Sequence, residues 1–357
     1  MTGPDQADAP PALLRGCDRP LHEVYDTALL DLDGVIYVGK AAVPGAAEAL
    51  AKAAAAGMKR GFVTNNASRS PSAIAAQLSR LGVPATAADV VTSGQAAARL
   101  LAAELPPGAR VLVVGGTGLR LALRERGLRP VSTAAERPAA VVQGFSPDIS
   151  YGLLSEGVLA VRAGARYVAA NADRTLPTAR GEEMGNGSLV QSIAWATGVQ
   201  PVVAGKPEPP LHAEAVHRTG ARRPLVIGDR LDTDIEGGVR GGADTLLVLT
   251  GVSRPADVVA APPSQRPAYL SAGLAALLEP QPAVTGRTAA GGAAAGPRPR
   301  LRPRPRTRAP GRSPCPATAT QSTACARSAP PPGRPAVPSR LARPWTSWAW
   351  TDTAPAG

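Results

Sequence analysis

"LLDLDGVIYVGK" (residues 29–40) decides the fold, because an apolar run that belongs in a core ends abruptly on two acids, Asp31 and Asp33, followed by Gly34. Positions i and i+2 of an extended chain point the same way. Both carboxylates therefore reach one side of the strand's end, and glycine lets the backbone turn away without a side chain in the path. A plain turn would also favour Asp and Gly, so the reading depends on what surrounds it.

Working outward, short β-rich runs alternate with Ala-rich helical stretches. "TALLDL" (27–32) and "KRGFVTNN" (59–66) read as strands. "PGAAEALAKAAAAG" (44–57) and "SPSAIAAQLSRLG" (70–82) read as helices, the second capped by Ser70 with Pro71 in its first turn. The alternation continues through "RVLVVGG" (110–116), "AAVVQGFS" (139–146), "ARYVAAN" (165–171), "RPLVIGD" (223–229) and "DTLLVLTG" (244–251). Strands apolar throughout, separated by helices, predict an α/β fold of parallel sheets covered on both faces.

In open α/β sheets ligands bind beyond the carboxyl ends of the strands. The polar residues there are Asp31 and Asp33, Thr64-Asn65-Asn66, Gly115–Gly118, Asn171 and Asp173, and the acids of "VIGDRLDTDIEGG" (226–238): Asp229, Asp232 and Asp234. Two acidic strand ends packed side by side would repel and raise one another's pKa. A hard divalent cation resolves that, and carboxylate oxygens suit Mg²⁺. The bland alternative is that each Asp only caps the helix after it. Thr64, Asn65 and Asn66 are neutral donors suited to phosphate oxygens, and "VAGKPEPPL" (203–211) presents Lys206 ahead of a helix start. Acid pair, hydroxyl, lysine and acid cluster, in that order, are the parts of a phosphoryl-transfer site.

These motifs resemble the haloacid dehalogenase superfamily of phosphohydrolases, in the branch with a large cap inserted after the second motif. "DLDGVIY", "FVTNNASRS", "GKPEPP" and "GDRLDTDIEG" match its four motifs in order, and the likeness covers roughly residues 25–280. It implies a doubly wound, Rossmann-like parallel core at 25–89 and 201–280, with an α/β cap at 90–200. It also implies that Asp31 is the nucleophile and that Asp33 is the general acid and base. Mg²⁺ would be held by Asp31, the Asp33 carbonyl and Asp229, with Asp234 a second ligand or outer support and Asp232 the weakest candidate. Thr64, Asn65, Asn66 and Lys206 would grip the phosphoryl group. Within the branch, "VVTSGQAAA", "LPTARGEEMGNGSLV" and "GDRLDTDIEGG" look most like phosphatases of glycerol 3-phosphate. Leu176 stands where several related enzymes carry a substrate-contacting His, which favours an uncharged polyol over a carboxylate such as phosphoglycolate. Arg174, Arg180 or a partner subunit remain other sources of charge. A homodimer through the cap is left open.

Composition bounds the rest. The net charge of +12 suggests nucleic acid until it is located: residues 281–357 hold twelve Arg and one acid, Asp352, so +11 lies in that tail. The remainder is nearly neutral and offers no basic face for nucleic acid. The tail, with "GPRPRLRPRPRTRAP" (296–310), has no apolar periodicity and is expected to be disordered. It reads either as a natural basic segment for anionic partners, making the chain an interaction protein, or as out-of-frame translation of a GC-rich gene. Residues 1–24 read as a flexible N-terminus, and Cys17 has no neighbouring cysteine for a disulfide. With no leader and no run of eighteen apolar residues, the expectation is a cytoplasmic protein without a membrane span.

Three signals are set aside. "VLVVGGTGLRLAL" (111–123) has Leu121 where a dinucleotide fingerprint needs a small residue. It is better read as a tight strand-to-helix turn. His212 and His217, five apart on a helix, are poorly spaced for a shared metal. Trp195 reads as core or cap-interface packing.

Overall fold

The computed structural model describes residues 14–178 and 180–284. It contains two parallel sheets. The first has six strands, in spatial order Tyr269–Ser271, Asp244–Val248, Pro224–Gly228, Thr27–Leu30, Lys59–Thr64 and Val90–Thr92. Thr27–Leu30 lies at its centre, with Leu30 opposite Ile227 on one side and Phe62 on the other. Those three side chains are fully buried, as a parallel strand covered on both faces requires. The second sheet runs Val202–Val203, Arg166–Ala169, Ala140–Gln143, Arg110–Val114 and Arg129–Val131, also parallel throughout.

Local sequence explains the flanking helices. Ser70 Oγ accepts the Ala73 N–H at 3.2 Å, opening Pro71–Arg80. Thr92 and Gln95 exchange a capping box: Thr92 Oγ1 accepts the Gln95 N–H and Gln95 Oε1 accepts the Thr92 N–H. The helix so started, Ser93–Glu104, is buried at Ala96, Ala97, Ala98 and Leu101. It joins a continuous apolar layer in which Leu29, Val63 and Val226 of the first sheet meet Val111, Val113, Val142 and Val168 of the second. The sheets are therefore fastened by packing as well as by chain connections.

Several expectations need adjusting. Val90–Thr92, at the expected start of the cap, pairs instead with Lys59–Thr64 and extends the first sheet. Val202–Val203, at the expected resumption of the core, pairs instead with Arg166–Ala169 in the second. The chain thus crosses between sheets within 93–109 and 204–223. Residues 14–24 are not a loose leader: Leu14 bridges Val284, Cys17 and Gln281 exchange backbone hydrogen bonds of 2.8 Å, and Leu21 is buried. The expected disorder of the tail from 285 onward lies outside the described residues, as do residues 1–13.

Trp195 is 92 % exposed on Asn186–Thr197 and is not core. The glycines of "VLVVGGTG" answer to packing, since a Cβ on Gly115 would meet the Gly144 carbonyl oxygen at 2.6 Å and one on Gly118 the Arg69 carbonyl oxygen at 2.5 Å. Among the described residues no helix is long and apolar enough to cross a membrane.

Candidate active site

Four chain segments converge at the carboxyl ends of the central strands of the first sheet. The strand Thr27–Leu30 delivers Asp31, whose N–H donates to the Ile227 carbonyl at 2.8 Å. That bond holds Asp31 beside the end of Pro224–Gly228, where Asp229 follows. Asp234 comes from the first turn beyond, Leu231–Ile235, which is wound as a π-helix: both Asp234 and Ile235 donate their N–H to the Arg230 carbonyl. One oxygen from each of Asp31, Asp229 and Asp234 falls within 4.8 Å of the other two.

Lys206 enters from the connection between the sheets and uses all three of its donors. Its Nζ reaches Asp31 Oδ1 at 2.5 Å, Asp234 Oδ1 at 2.7 Å and the Val63 carbonyl at 3.1 Å. Three nearly buried carboxylates face one ammonium, so the electrostatic balance is negative. Burial pushes the Asp31 carboxyl well above its usual range; Lys206 opposes this, and Asp234 and Asp229 add to it. Burial, then the Asp234 charge, pushes Asp229 up to about 6. Burial would lower the Lys206 ammonium, but the Asp234 and Asp31 carboxylates outweigh it and hold the group charged above its ordinary value.

The detail at Asp229 bears on a metal. Its Oδ2 accepts the Val252 N–H at 2.7 Å, while its Oδ1 is buried with no hydrogen-bond donor. An unpartnered carboxylate oxygen in a cluster of carboxylates is costly unless a cation meets it. Glycines make room for this: a Cβ on Gly34 would sit 2.4 Å from Asp229 Oδ2, and one on Gly251 2.0 Å from it. Gly34 also adopts a φ of 79°, which side chains disfavour. The donor set, all hard oxygen, fits Mg²⁺ or Ca²⁺.

Asp33 lies at the open side, with Tyr37 Oη 3.5 Å from its Oδ2. Its carboxyl is raised by partial removal from water, against the pull of Lys206 and Arg69. Asp232 is separate from the cluster; it makes a two-pronged exposed ion pair with Arg230, at 3.1 and 2.8 Å.

The "TNN" residues divide. Thr64 Oγ1 accepts the Asn66 N–H at 3.1 Å, which leaves its own hydroxyl hydrogen free to donate. Asn66 Oδ1 instead gathers the Ser68 and Arg69 N–H groups into a local turn. The Asn65 side chain is engaged with Lys206 and with Asp173, a residue contributed by the loop after Arg166–Ala169. The Asn65 side chain and the Asn66 side-chain oxygen are thus engaged in holding the surrounding structure. Among residues not singled out as site members in the sequence, Asp173 accepts from Asn65, Tyr37 lies against Asp33, the Arg230 N–H donates to Asp234 Oδ2 at 3.2 Å and Thr250 donates to the Gly34 carbonyl at 2.5 Å. Only Asp173 carried a signal, as a polar residue after a strand.

Comparison with known proteins agrees with this geometry. Residues 28–129 match the family described as haloacid dehalogenase-like hydrolase, and residues 203–277 match a HAD-hydrolase-like family. The chain belongs to the haloacid dehalogenase-like hydrolases. Within that family it is 49 % identical over 259 residues to the D-glycerol 3-phosphate phosphatase of Mycobacterium tuberculosis, covering 72 % of each chain. It is also 39 % identical over 234 residues to the 5'-nucleotidase YutF of Bacillus subtilis, covering 65 % of this chain and 90 % of the relative. A crystal structure of glycerol phosphate phosphatase Rv1692 from Mycobacterium tuberculosis in complex with magnesium superposes with a TM-score of 0.71 at 49 % identity, covering 73 % of this chain and 79 % of that one.

Proposed function

We propose that this phosphoric monoester hydrolase is a Mg²⁺-dependent cytoplasmic phosphatase. Its substrate would be a small phosphorylated metabolite, glycerol 3-phosphate, hydrolysed to glycerol and phosphate through an aspartyl-phosphate on Asp31. The observation that carries the reading is the cluster of Asp31, Lys206, Asp229 and Asp234, with one buried Asp229 oxygen unpartnered.

Asp31 Oδ attacks phosphorus, the bond from phosphorus to the alcohol oxygen breaks, and the alcohol leaves. Asp33, raised by its surroundings, supplies the proton to that oxygen. In the second half Asp33 takes a proton from water as the water oxygen attacks the acyl phosphate, returning Asp31 as carboxylate. Lys206 pairs with the phosphoryl charge and orients Asp31, and Thr64 donates its hydroxyl to a phosphoryl oxygen. Asp31, Asp229, Asp234 and the Asp33 carbonyl would hold the cation, which when bound neutralises nucleophile and phosphate so that the two anions can approach.

The choice of glycerol 3-phosphate rests on the 49 % identical phosphatase and on Leu176, which brings no cation toward a substrate carboxylate. A screen of small phosphate esters with Mg²⁺, including glycerol 3-phosphate, 2-phosphoglycolate and 4-nitrophenyl phosphate, tests it. The highest kcat/KM is expected for glycerol 3-phosphate; preference for 2-phosphoglycolate would reject the substrate, and no hydrolysis of any ester would reject the activity.

A further inference from the structure

The geometry points to Asp173 as a positioning residue that, through Asn65, couples the second sheet to the backbone carrying Lys206. Asn65 Oδ1 accepts the Lys206 N–H at 2.8 Å, and its Nδ2 donates to the Lys206 carbonyl at 3.2 Å. Gripping both backbone groups of one residue fixes its orientation as well as its place. The same Nδ2 donates its other hydrogen to Asp173 Oδ1 at 3.0 Å.

That third bond reinforces the way the amide faces Lys206. A half-turn about the last side-chain torsion would set Nδ2 against the Lys206 N–H, donor to donor, and Oδ1 against a carboxylate, acceptor to acceptor. An ionised Asp173 only accepts, so it holds Nδ2 on its own side and leaves Oδ1 for Lys206.

The contact is tight on both sides. A Cβ on Gly205 would lie 2.6 Å from Asn65 Oδ1 and 2.6 Å from the Ala170 carbonyl oxygen. Asn171 Nδ2 donates to the Asn65 carbonyl at 2.7 Å. Asp173 is itself fixed, its N–H donating to Asn171 Oδ1 at 3.2 Å and its carbonyl accepting the Gly187 N–H at 2.8 Å. A displacement of the loop at 170–173 is thus passed to Lys206 by two hydrogen-bonded links.

This rests on the role proposed for Lys206, and it separates two kinds of effect. Lys206 meets the phosphoryl group common to every substrate, so loss of Asp173 slows turnover of all esters alike. A residue that touched the alcohol portion would change KM for glycerol 3-phosphate and spare 4-nitrophenyl phosphate.

The test compares wild type, Asp173→Ala and Asp173→Asn in the full chain, by kcat and KM for both esters and by hydrogen exchange of the backbone amides at 203–208. Asp173→Ser replaces the alanine variant if that one does not stay folded at the assay temperature. Losing one charge-assisted hydrogen bond should lower kcat roughly tenfold for both esters and speed exchange at Lys206 by roughly the same factor. KM should stay within about twofold, and Asp173→Asn, which keeps an acceptor, should recover most of the loss. Unchanged exchange in Asp173→Ala, a loss confined to KM for glycerol 3-phosphate, or an asparagine variant as impaired as alanine would each overturn the proposal. If wild type hydrolyses neither ester, the activity reading falls, and the exchange comparison still decides the coupling.

Discussion

Asp229 follows the strand Pro224–Gly228, which pairs in parallel with Thr27–Leu30, the strand that Asp31 follows, so two carboxylates far apart in sequence meet at the carboxyl ends of neighbouring central strands. Strand register alone brings them together: Leu30 lies opposite Ile227, and each acid stands just beyond its strand.

Asp31→Asn should abolish turnover, on the order of 10⁴-fold or more, because an amide oxygen is a poor nucleophile at phosphorus. The fold should survive. Removing one charge from a cluster of three buried carboxylates relieves repulsion, so the melting temperature of the metal-free variant should equal or exceed that of wild type. Steady-state assay and thermal melting check both halves, and a fully active variant would remove the nucleophile.

Mg²⁺ should raise the melting temperature of wild type. Ligand binding to the folded state alone stabilises by about 2.7 kcal/mol at a hundred times Kd. Asp229→Asn should lose most of this shift, and so should Gly251→Ala, whose new Cβ would press on Asp229 Oδ2 from 2.0 Å. Melting titrations with MgCl₂ measure it without any substrate; an undiminished shift in Asp229→Asn would place the cation elsewhere.

How much of this was legible from residues alone follows from which signals are local. Asp31, Asp229 and Asp234 could be read because apolar strands running into acids need no knowledge of neighbours. The side chain of Asn65 is engaged by Asp173 and Lys206, residues distant in sequence whose demands a linear reading does not contain. Trp195 shows the reverse failure: a large aromatic on an apolar helix suggests burial, but the helix turns that face to solvent. Val90–Thr92 was too short for its run to declare which sheet it extends.

Asp26 should contribute to stability above the ordinary carboxylate range and not below it. Burial alone would raise its pKa, but the Thr27 hydroxyl nearby and hydrogen bonds from the backbone N–H groups of Arg222 and Arg223 to its Oδ2 lower it below the usual value. A carboxylate whose folded pKa is depressed stabilises at pH above its unfolded pKa, and that stability is lost as pH falls through the folded one. Asp26→Asn should therefore cost about 1–3 kcal/mol at pH 7, with the difference from wild type shrinking in acid. Urea unfolding at both pH values checks the sign.

Glu214→Gln should loosen the contact between the helices Pro209–Thr219 and Ser93–Glu104 and the end of Thr117–Glu125. The Glu214 carboxylate is fully buried and accepts from Arg126 at 2.7 Å and Arg99 at 3.0 Å, with Arg218 at 3.8 Å. Those arginines are a quarter or more exposed, so water can recover them when the charge is lost. The expected cost is about 1–3 kcal/mol, below that of breaking a wholly buried pair, and is read by urea unfolding of the variant.

The central claim, a covalent phosphoryl group on Asp31, is tested most directly by acid-quenching the Asp33→Asn chain during incubation with 4-nitrophenyl phosphate and Mg²⁺, then mapping its peptides by mass. With no group to draw a proton from water, the intermediate should accumulate, and the peptide spanning residues 29–40 should gain one phosphoryl group that is absent from the Asp31→Asn, Asp33→Asn double variant. Release of 4-nitrophenol with no modified peptide at any time, together with continued turnover by Asp31→Asn, would contradict it.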